Sequence, residues 1–137
     1  MKKDKTRNIK RILTLLITEY KFINRLVYRG SNQFKTNIRH RKLIELRNKI
    51  ILFLSLNEIR KDLKKYKIED FNDFKVINSS KILNSEVTRI VELTETIYMY
   101  SSSECIQGSF IPINLLTMVI VSRIRYLVLA YKKYKSS

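Results

Sequence analysis

The stretch LIELRNKIILFLSL, residues 43–56, decides the fold. Its central part, Ile50–Leu54, is apolar on every side of a helix, and such a helix packs against several neighbours at once. The stretch therefore predicts an all-α fold in which the second helix runs from about Thr36 to Tyr66. Two apolar stripes at helical spacing overlap there, the first being Leu43, Leu46, Ile50 and Phe53, and the second Leu52, Leu56, Ile59 and Leu63.

Three further helices flank this segment. Apolar residues three and four apart predict a first helix over about Asp4–Val27, which the Gly30-Ser31-Asn32 turn ends. Asn84 and Ser85 are good N-caps for a third helix that ends before Gly108. The fourth is predicted over Pro112–Tyr134, because proline suits the first helical position.

The composition agrees with few, long helices. The chain has 137 residues, 45% of them hydrophobic, with only 2 Gly and 1 Pro to form turns. We expect one domain over residues 1–137, a four-helix bundle-like fold with long first two helices. An acidic connection, about Ile68–Leu83, joins the second helix to the third.

The charge is strongly one-sided. Residues 1–67 carry 20 Lys and Arg against 5 Asp and Glu, a net of +15 of the total +16, whereas residues 68–137 carry 8 against 7. The chain thus has a basic half, 1–67, and a neutral helical half, 84–135. This asymmetry indicates a polyanionic partner, which could be RNA, DNA or an anionic membrane, since solubility alone would not concentrate the excess in one half.

Aromatic residues alternate with basic ones in the basic half, as an RNA-binding surface requires. We expect Tyr28 and Phe34, which flank the glycine turn, to be exposed, whereas Tyr20 and Phe22 fit either the surface or the core. Asn32 fits either RNA contact or the cap of the second helix. The candidate RNA-binding residues are Tyr28, Arg29, Asn32, Gln33, Lys35, Arg39, His40, Arg41, Lys42 and Arg47.

Catalytic chemistry has little support. His40 is the only histidine and Cys105 the only cysteine, so no metal site is expected, and Cys105 is interpreted as a buried, inert thiol. Glu69, Asp70 and Asp73 could form an acid–base pair, but an acidic turn explains them better. The sequence favours a protein that is not an enzyme and takes no cofactor and no small-molecule substrate.

The apolar segment Ile113–Ala130 raises the question of a membrane span. Arg123 and Arg125 near its middle would each cost about 2.5–3.5 kcal/mol to insert, so a buried bundle helix is the preferred interpretation. No signal peptide is expected, because Met1–Arg11 is charged, and the expected compartment is cytosol or nucleus.

Two blocks of sequence together resemble one known family. The first is LVYRGSNQFK, residues 26–35, followed by a basic stretch to Arg47. The second runs from Ser101-Ser102 through Gly108-x-Phe110-x-Pro112 to Ser122-Arg123-Ile124. In this order and at this separation they resemble the two signatures of the MRP-specific small subunit of ribonuclease MRP, a family related to the nucleolus and neural progenitor proteins.

The match in the first block is carried by Arg29, Asn32, Gln33 and Lys35, while Phe34 stands where the family has histidine. The resemblance implies a non-catalytic RNA-binding subunit of a nucleolar ribonucleoprotein. Its partners would be ribonuclease MRP RNA and other protein subunits, and its role would be in precursor ribosomal RNA processing. Two alternatives remain, a generic basic nucleic-acid-binding module and a peripheral membrane protein.

Overall fold

The computed structural model describes residues 2–56 and 80–136, with side-chain surroundings for 7–54 and 84–134. The described residues form helices and short connections, with no strand, which confirms the all-helical prediction. Among the described residues the helices are α1 (Lys2–Gly30), α2 (Ile38–Leu56), α3 (Ser80–Ile106) and α4 (Ile111–Ser136).

The expectation of two long first helices is met in part: α1 has 29 residues, and α2 is described over 19 residues, up to Leu56. α3 has 27 residues and α4 has 26. The continuation of the second helix to Tyr66, and the connection with Glu69, Asp70 and Asp73, lie outside the described residues. α3 begins at Ser80, four residues before the predicted cap, and α4 begins one residue before Pro112.

The helices pack as a ring, with α1 against α2, α2 against α3, α3 against α4, and α4 against α1. Neighbours run antiparallel: Arg39 pairs with Glu104 and Lys49 with Glu86, so numbers rise along α2 as they fall along α3. α3 and α4 are antiparallel as well, because Glu95 pairs with Arg125 and Glu104 with Asn114. α1 contacts α2 through Asn24 and Arg47, and α4 through Glu19 and Arg123, in the same alternation. This is the up-down-up-down arrangement of a four-helix bundle.

The apolar stretch that predicted the bundle lies in its core. Ile50, Ile51, Phe53 and Leu54 are all buried, and the Phe53 ring packs edge-on against Tyr131 of α4 at 4.8 Å between centroids. One apolar stripe from each other helix completes the core, including Leu16 and Ile23, Ile90 and Ile97, and Ile120 and Ile124.

α4 is the described helix that is long and apolar enough to span a membrane, over Ile111–Tyr134 with mean hydropathy 1.6. Only 39% of its most apolar window is buried inside the protein. Leu115, Val119 and Tyr126 are exposed on its outer face. Arg123 and Arg125 face outward and pair with Glu19 of α1 and Glu95 of α3, at 2.9 and 3.1 Å.

Candidate nucleic-acid interface

The junction between α1 and α2 depends on a close approach at Gly30, the last residue of α1. A Cβ atom built there would lie 2.9 Å from Cε1 of His40, closer than real Cβ contacts allow, and 3.0 Å from Cδ2 of Phe34, which is also tight. Glycine therefore lets the start of α2 lie directly against the end of α1. α1 ends at Gly30, next to the predicted break. The close packing of His40 and Phe34 explains why this residue is glycine.

Hydrogen bonds order the connection between the two helices. Phe34 N donates to Gly30 O at 2.8 Å, and Asn37 N donates to Phe34 O at 2.9 Å. The Asn37 side-chain oxygen accepts from His40 N at 3.1 Å, which is the N-cap interaction of α2. Asn37 thus caps α2, and Asn32 is left exposed on the outside of the turn.

A polar cluster lies at this end of the bundle, centred on the carboxylate of Glu104 in α3. Oε1 accepts from Asn37 Nδ2 at 2.9 Å, and Oε2 accepts from Arg39 Nε at 3.1 Å and from Asn114 Nδ2 at 2.7 Å. The Arg39 guanidinium carbon also lies 5.0 Å from the centroid of the Phe34 ring, within cation–π range. One carboxylate therefore ties the turn, α2 and α4 to α3.

The end of α3 holds Glu104 in place. Gly108 has φ of 79°, its N–H donates to Cys105 O at 3.0 Å, and Ser109 N donates to Glu104 O at 2.9 Å. This is the Schellman pattern, and it confirms that glycine terminates the helix. Phe110, with φ of 49°, then turns its ring edge-on against Phe34 at 4.8 Å between centroids.

Three sequence expectations about exposure were wrong. Arg39 and His40, predicted on the basic surface, are 1% and 2% exposed, and Phe34, predicted exposed, is buried. Arg39 can be buried because Glu104 neutralises it. In this structure Arg39 and His40 are not accessible to a phosphate, so both belong to the architecture beneath the surface.

Burial changes the ionisation of two groups in this cluster. Burial, together with the charges of Arg39 and Arg47, lowers the pKa of His40 below its usual value. Burial opposes ionisation of Glu104, but hydrogen bonds from Asn37 and Asn114 and the charge of Arg39 outweigh it, so the pKa of Glu104 is lowered. The cluster therefore holds an anionic Glu104 against a cationic Arg39, beside a neutral imidazole at neutral pH.

Above the cluster, polar and basic side chains face solvent. Tyr28 is 83% exposed at the end of α1. We call the following set the hairpin surface: Arg25, Tyr28, Arg29, Asn32, Gln33, Lys35 and Arg41, all exposed. Six of its members, all but Arg25, are sequence-predicted site residues.

The last two predicted residues lie farther along α2 and are partly occupied. Lys42 is half-buried and its Nζ lies 3.4 Å from Glu45 Oε2. Arg47 is also half-buried, and its Nη1 donates to Asn24 Oδ1 of α1 at 3.5 Å. Arg47 therefore bridges the two helices of the hairpin, while Lys42 belongs to an ion-pair row that faces α3.

The described ion pairs are distributed unevenly between the two halves of the bundle. Each carboxylate whose surroundings are described pairs with a cation: Glu19, Glu45, Glu86, Glu92, Glu95 and Glu104. These pairs include Arg89, Arg123 and Arg125, the arginines described on α3 and α4. Within the described part of the chain, the cations of the hairpin surface have no carboxylate partner, so among these residues their exposed charge is uncompensated.

Sequence reasoning missed Glu104 and Asn114, which hold the hairpin end together. A signal existed, since Asn114 is a lone amide in an apolar helix and Arg39 falls on the stripe of Leu43 and Leu46. A polar residue on an apolar stripe indicates a buried partner. The partner itself, 65 positions away from Arg39, has no local signature.

Within residues 2–56 and 80–136, no three His, Cys, Asp or Glu side chains come together as metal ligands would. No protein-family model, curated protein or solved structure matches this chain. The resemblance to the ribonuclease MRP subunit stays a prediction from its residues.

Proposed function

We propose that this chain is a non-catalytic RNA-binding protein that binds through its hairpin surface. One observation carries the proposal: the described carboxylates are all ion-paired, while most of the described cations without a carboxylate partner lie on α1, α2 and the turn between them, and Arg25, Arg29, Lys35 and Arg41 among them belong to the hairpin surface. Uncompensated cations release counterions when they meet phosphates, which favours binding to a polyanion. Exposed amides at Asn32 and Gln33 add donors and acceptors for base edges or sugar hydroxyls.

The proposal takes a specific form, a subunit of the nucleolar ribonuclease MRP ribonucleoprotein alongside other protein subunits. Its support is that the two sequence blocks of the resemblance meet in space. Phe34 of the first block packs on Phe110 of the second, and Glu104 of the second binds Asn37 and Arg39 next to the first. Residues matched in the first block, Arg29, Asn32, Gln33 and Lys35, then point outward from this junction.

Sequencing the RNA that copurifies with the tagged protein tests the proposal. We expect one structured RNA to be enriched, and the charge-reversed variant Arg29→Glu, Lys35→Glu, Arg41→Glu to lose it. The matched control, Lys132→Glu with Lys133→Glu and Lys135→Glu, reverses three charges at the far end of α4 and should retain it. Recovery of bulk RNA would support the generic nucleic-acid module instead, and recovery of no RNA would refute both.

The non-catalytic part of the proposal has its own test. Purified protein without RNA, incubated with magnesium and labelled precursor RNA, should leave the substrate intact. Cleavage that disappears when Glu69, Asp70 or Asp73 is changed to the corresponding amide would make the chain a nuclease and refute the proposal.

A second candidate function, binding to an anionic membrane, is favoured by one observation. The outer face of α4 carries the exposed apolar side chains of Leu115 and Val119, beside the outward-facing Arg123 and Arg125, and only 39% of its most apolar window is buried. Flotation with vesicles of anionic and of neutral lipid separates the candidates. On the RNA proposal the protein stays at the bottom of the gradient once RNA competes, whereas flotation that Leu115→Asp and Val119→Asp abolish would favour the membrane.

A further inference from the structure

Tyr28 is the most exposed aromatic residue among those whose surroundings are described. The residue is 83% exposed, while the neighbouring Leu26 and Val27 are buried in the core. Its backbone carbonyl accepts from Ser31 Oγ at 2.9 Å, so the helix end that carries it is ordered. The Tyr28 ring therefore does not pack in the core, and an ordered helix end holds it in solvent.

Two exposed arginines lie near Tyr28 at the end of α1. Arg25 precedes it by three positions and Arg29 follows it, and a separation of four residues places these two about 6 Å apart along the helix axis. Neither has a carboxylate partner within the described part of the chain. An exposed ring beside two guanidinium groups that have no described carboxylate partner can take a base on its face while the arginines bind the adjoining phosphates.

Tyr126 of α4 can be compared directly with Tyr28. Tyr126 is 74% exposed and also lies next to two arginines, Arg123 and Arg125. Those arginines are neutralised by Glu19 and Glu95. Two tyrosines of nearly equal exposure therefore differ in whether their neighbouring cations are available to phosphates.

We infer that Tyr28 is a stacking site for an unpaired base, so that the hairpin surface takes single-stranded or looped RNA in preference to a continuous duplex. This inference rests on the proposed function. In a duplex the base faces are already covered by their neighbours, so the Tyr28 ring gains no stacking partner there. Phosphate contacts alone would bind both forms, and stacking adds affinity only for the unpaired one.

Fluorescence anisotropy with two probes tests the inference. The probes are a labelled 12-nucleotide uridine-rich single strand and a 12-base-pair RNA duplex. We expect Tyr28→Ala to weaken single-strand binding by about 5-fold to 100-fold and duplex binding by less than about 2-fold. Tyr28→Phe, which keeps the ring, should bind as the wild type does, and so should the matched control Tyr126→Ala.

A second readout reports stacking directly. Because the chain contains no tryptophan, Tyr28→Trp places a single indole at the site. Its fluorescence should be quenched when the single strand binds and change little with the duplex. Tyr126→Trp, in an equally exposed position, should show no quenching by either RNA.

The outcomes distinguish this inference from the proposal beneath it. If the wild type binds the single strand and Tyr28→Ala binds it equally well, or loses both probes equally, the stacking site is refuted while RNA binding by the hairpin surface stands. If the wild type binds neither probe at low salt, the proposed function is refuted and the inference with it.

Discussion

Glu104 accepts hydrogen bonds from side chains of the turn, of α2 and of α4. Replacing it with Gln would leave the Arg39 guanidinium, 1% exposed, without an opposite charge. We expect Glu104→Gln to lower the free energy of unfolding by about 3 kcal/mol, as removal of one partner of a buried pair does. The control is Glu92→Gln, in the exposed pair with Arg89, which should cost under about 1 kcal/mol. Urea unfolding measures both, and equal losses would show that Glu104 does not hold the bundle end.

His40 makes stability depend on pH. Its pKa in the folded protein is lowered by burial and by Arg39 and Arg47, so the unfolded chain binds a proton more readily. Stability from this residue is therefore full above about pH 6.5 and falls on acidification towards the folded pKa, by at most about 1.4 kcal/mol per pH unit. Unfolding of the wild type and of His40→Gln should be compared between pH 5.5 and 7.5.

The variant is expected to show a flatter pH profile than the wild type. Glu19, whose pKa burial raises despite Arg123, acts in the opposite direction, since its stabilising effect is lost as pH rises through its folded pKa. It is present in both proteins and so cancels in the difference. Parallel profiles would mean that His40 titrates alike in the folded and unfolded chain.

At the scale of elements, the junction of α1 and α2 depends on the absence of a side chain at Gly30. Gly30→Ala would place a methyl group against His40 and Phe34, and we expect it to destabilise the protein by about 1–3 kcal/mol, as overpacking does. In a His40→Ala background, which lacks the atom in closest contact, Gly30→Ala should cost less than it does in the wild type. Thermal unfolding followed by circular dichroism measures each.

Gly108 is required for a different reason from Gly30, namely its backbone conformation and not the space around it. No atom lies within 4 Å of its built Cβ, but its φ of 79° is left-handed. Gly108→Ala should therefore cost about 1–2 kcal/mol through backbone strain alone, and no second substitution of a neighbour should restore it. The assignment would be contradicted if Gly30→Ala cost as much stability in the His40→Ala background as in the wild type. It would also be contradicted if a second substitution restored the stability of Gly108→Ala.

At the scale of the whole molecule, the uncompensated charge should make RNA binding strongly dependent on salt. If about five phosphates are neutralised, log affinity should fall with log salt at a slope on the order of −4. Changing Arg29, Lys35 and Arg41 to Glu should both weaken binding and flatten the slope, whereas the three reversals at Lys132, Lys133 and Lys135 should have far less effect. Arg39 is left out of this set because its reversal would disrupt the core. Equal effects of the two sets would show that the hairpin does not form the binding surface.

The sequence by itself determined the helical character of the described chain, the two glycine breaks and the one-sided charge. The helices and the charge follow from apolar periodicity and composition, and Gly108 ends α3 through its left-handed φ, all of which are local properties. Why Gly30 must be glycine depends instead on the packing of His40 and Phe34. It also placed Tyr28, Arg29 and Lys35 near a turn, where they are exposed.

Only the tertiary structure decided which of the clustered basic residues remain available. Arg39 and Arg41 are two positions apart in one basic run, yet Arg39 is buried and Arg41 is exposed. The difference depends on Glu104, brought from α3 to face Arg39, and no pattern near Arg39 records that distant carboxylate. Whether a charged side chain is buried depends on the partner that the fold brings to it. The sequence could therefore locate the basic surface, but it could not tell the exposed residues from the buried ones beneath them.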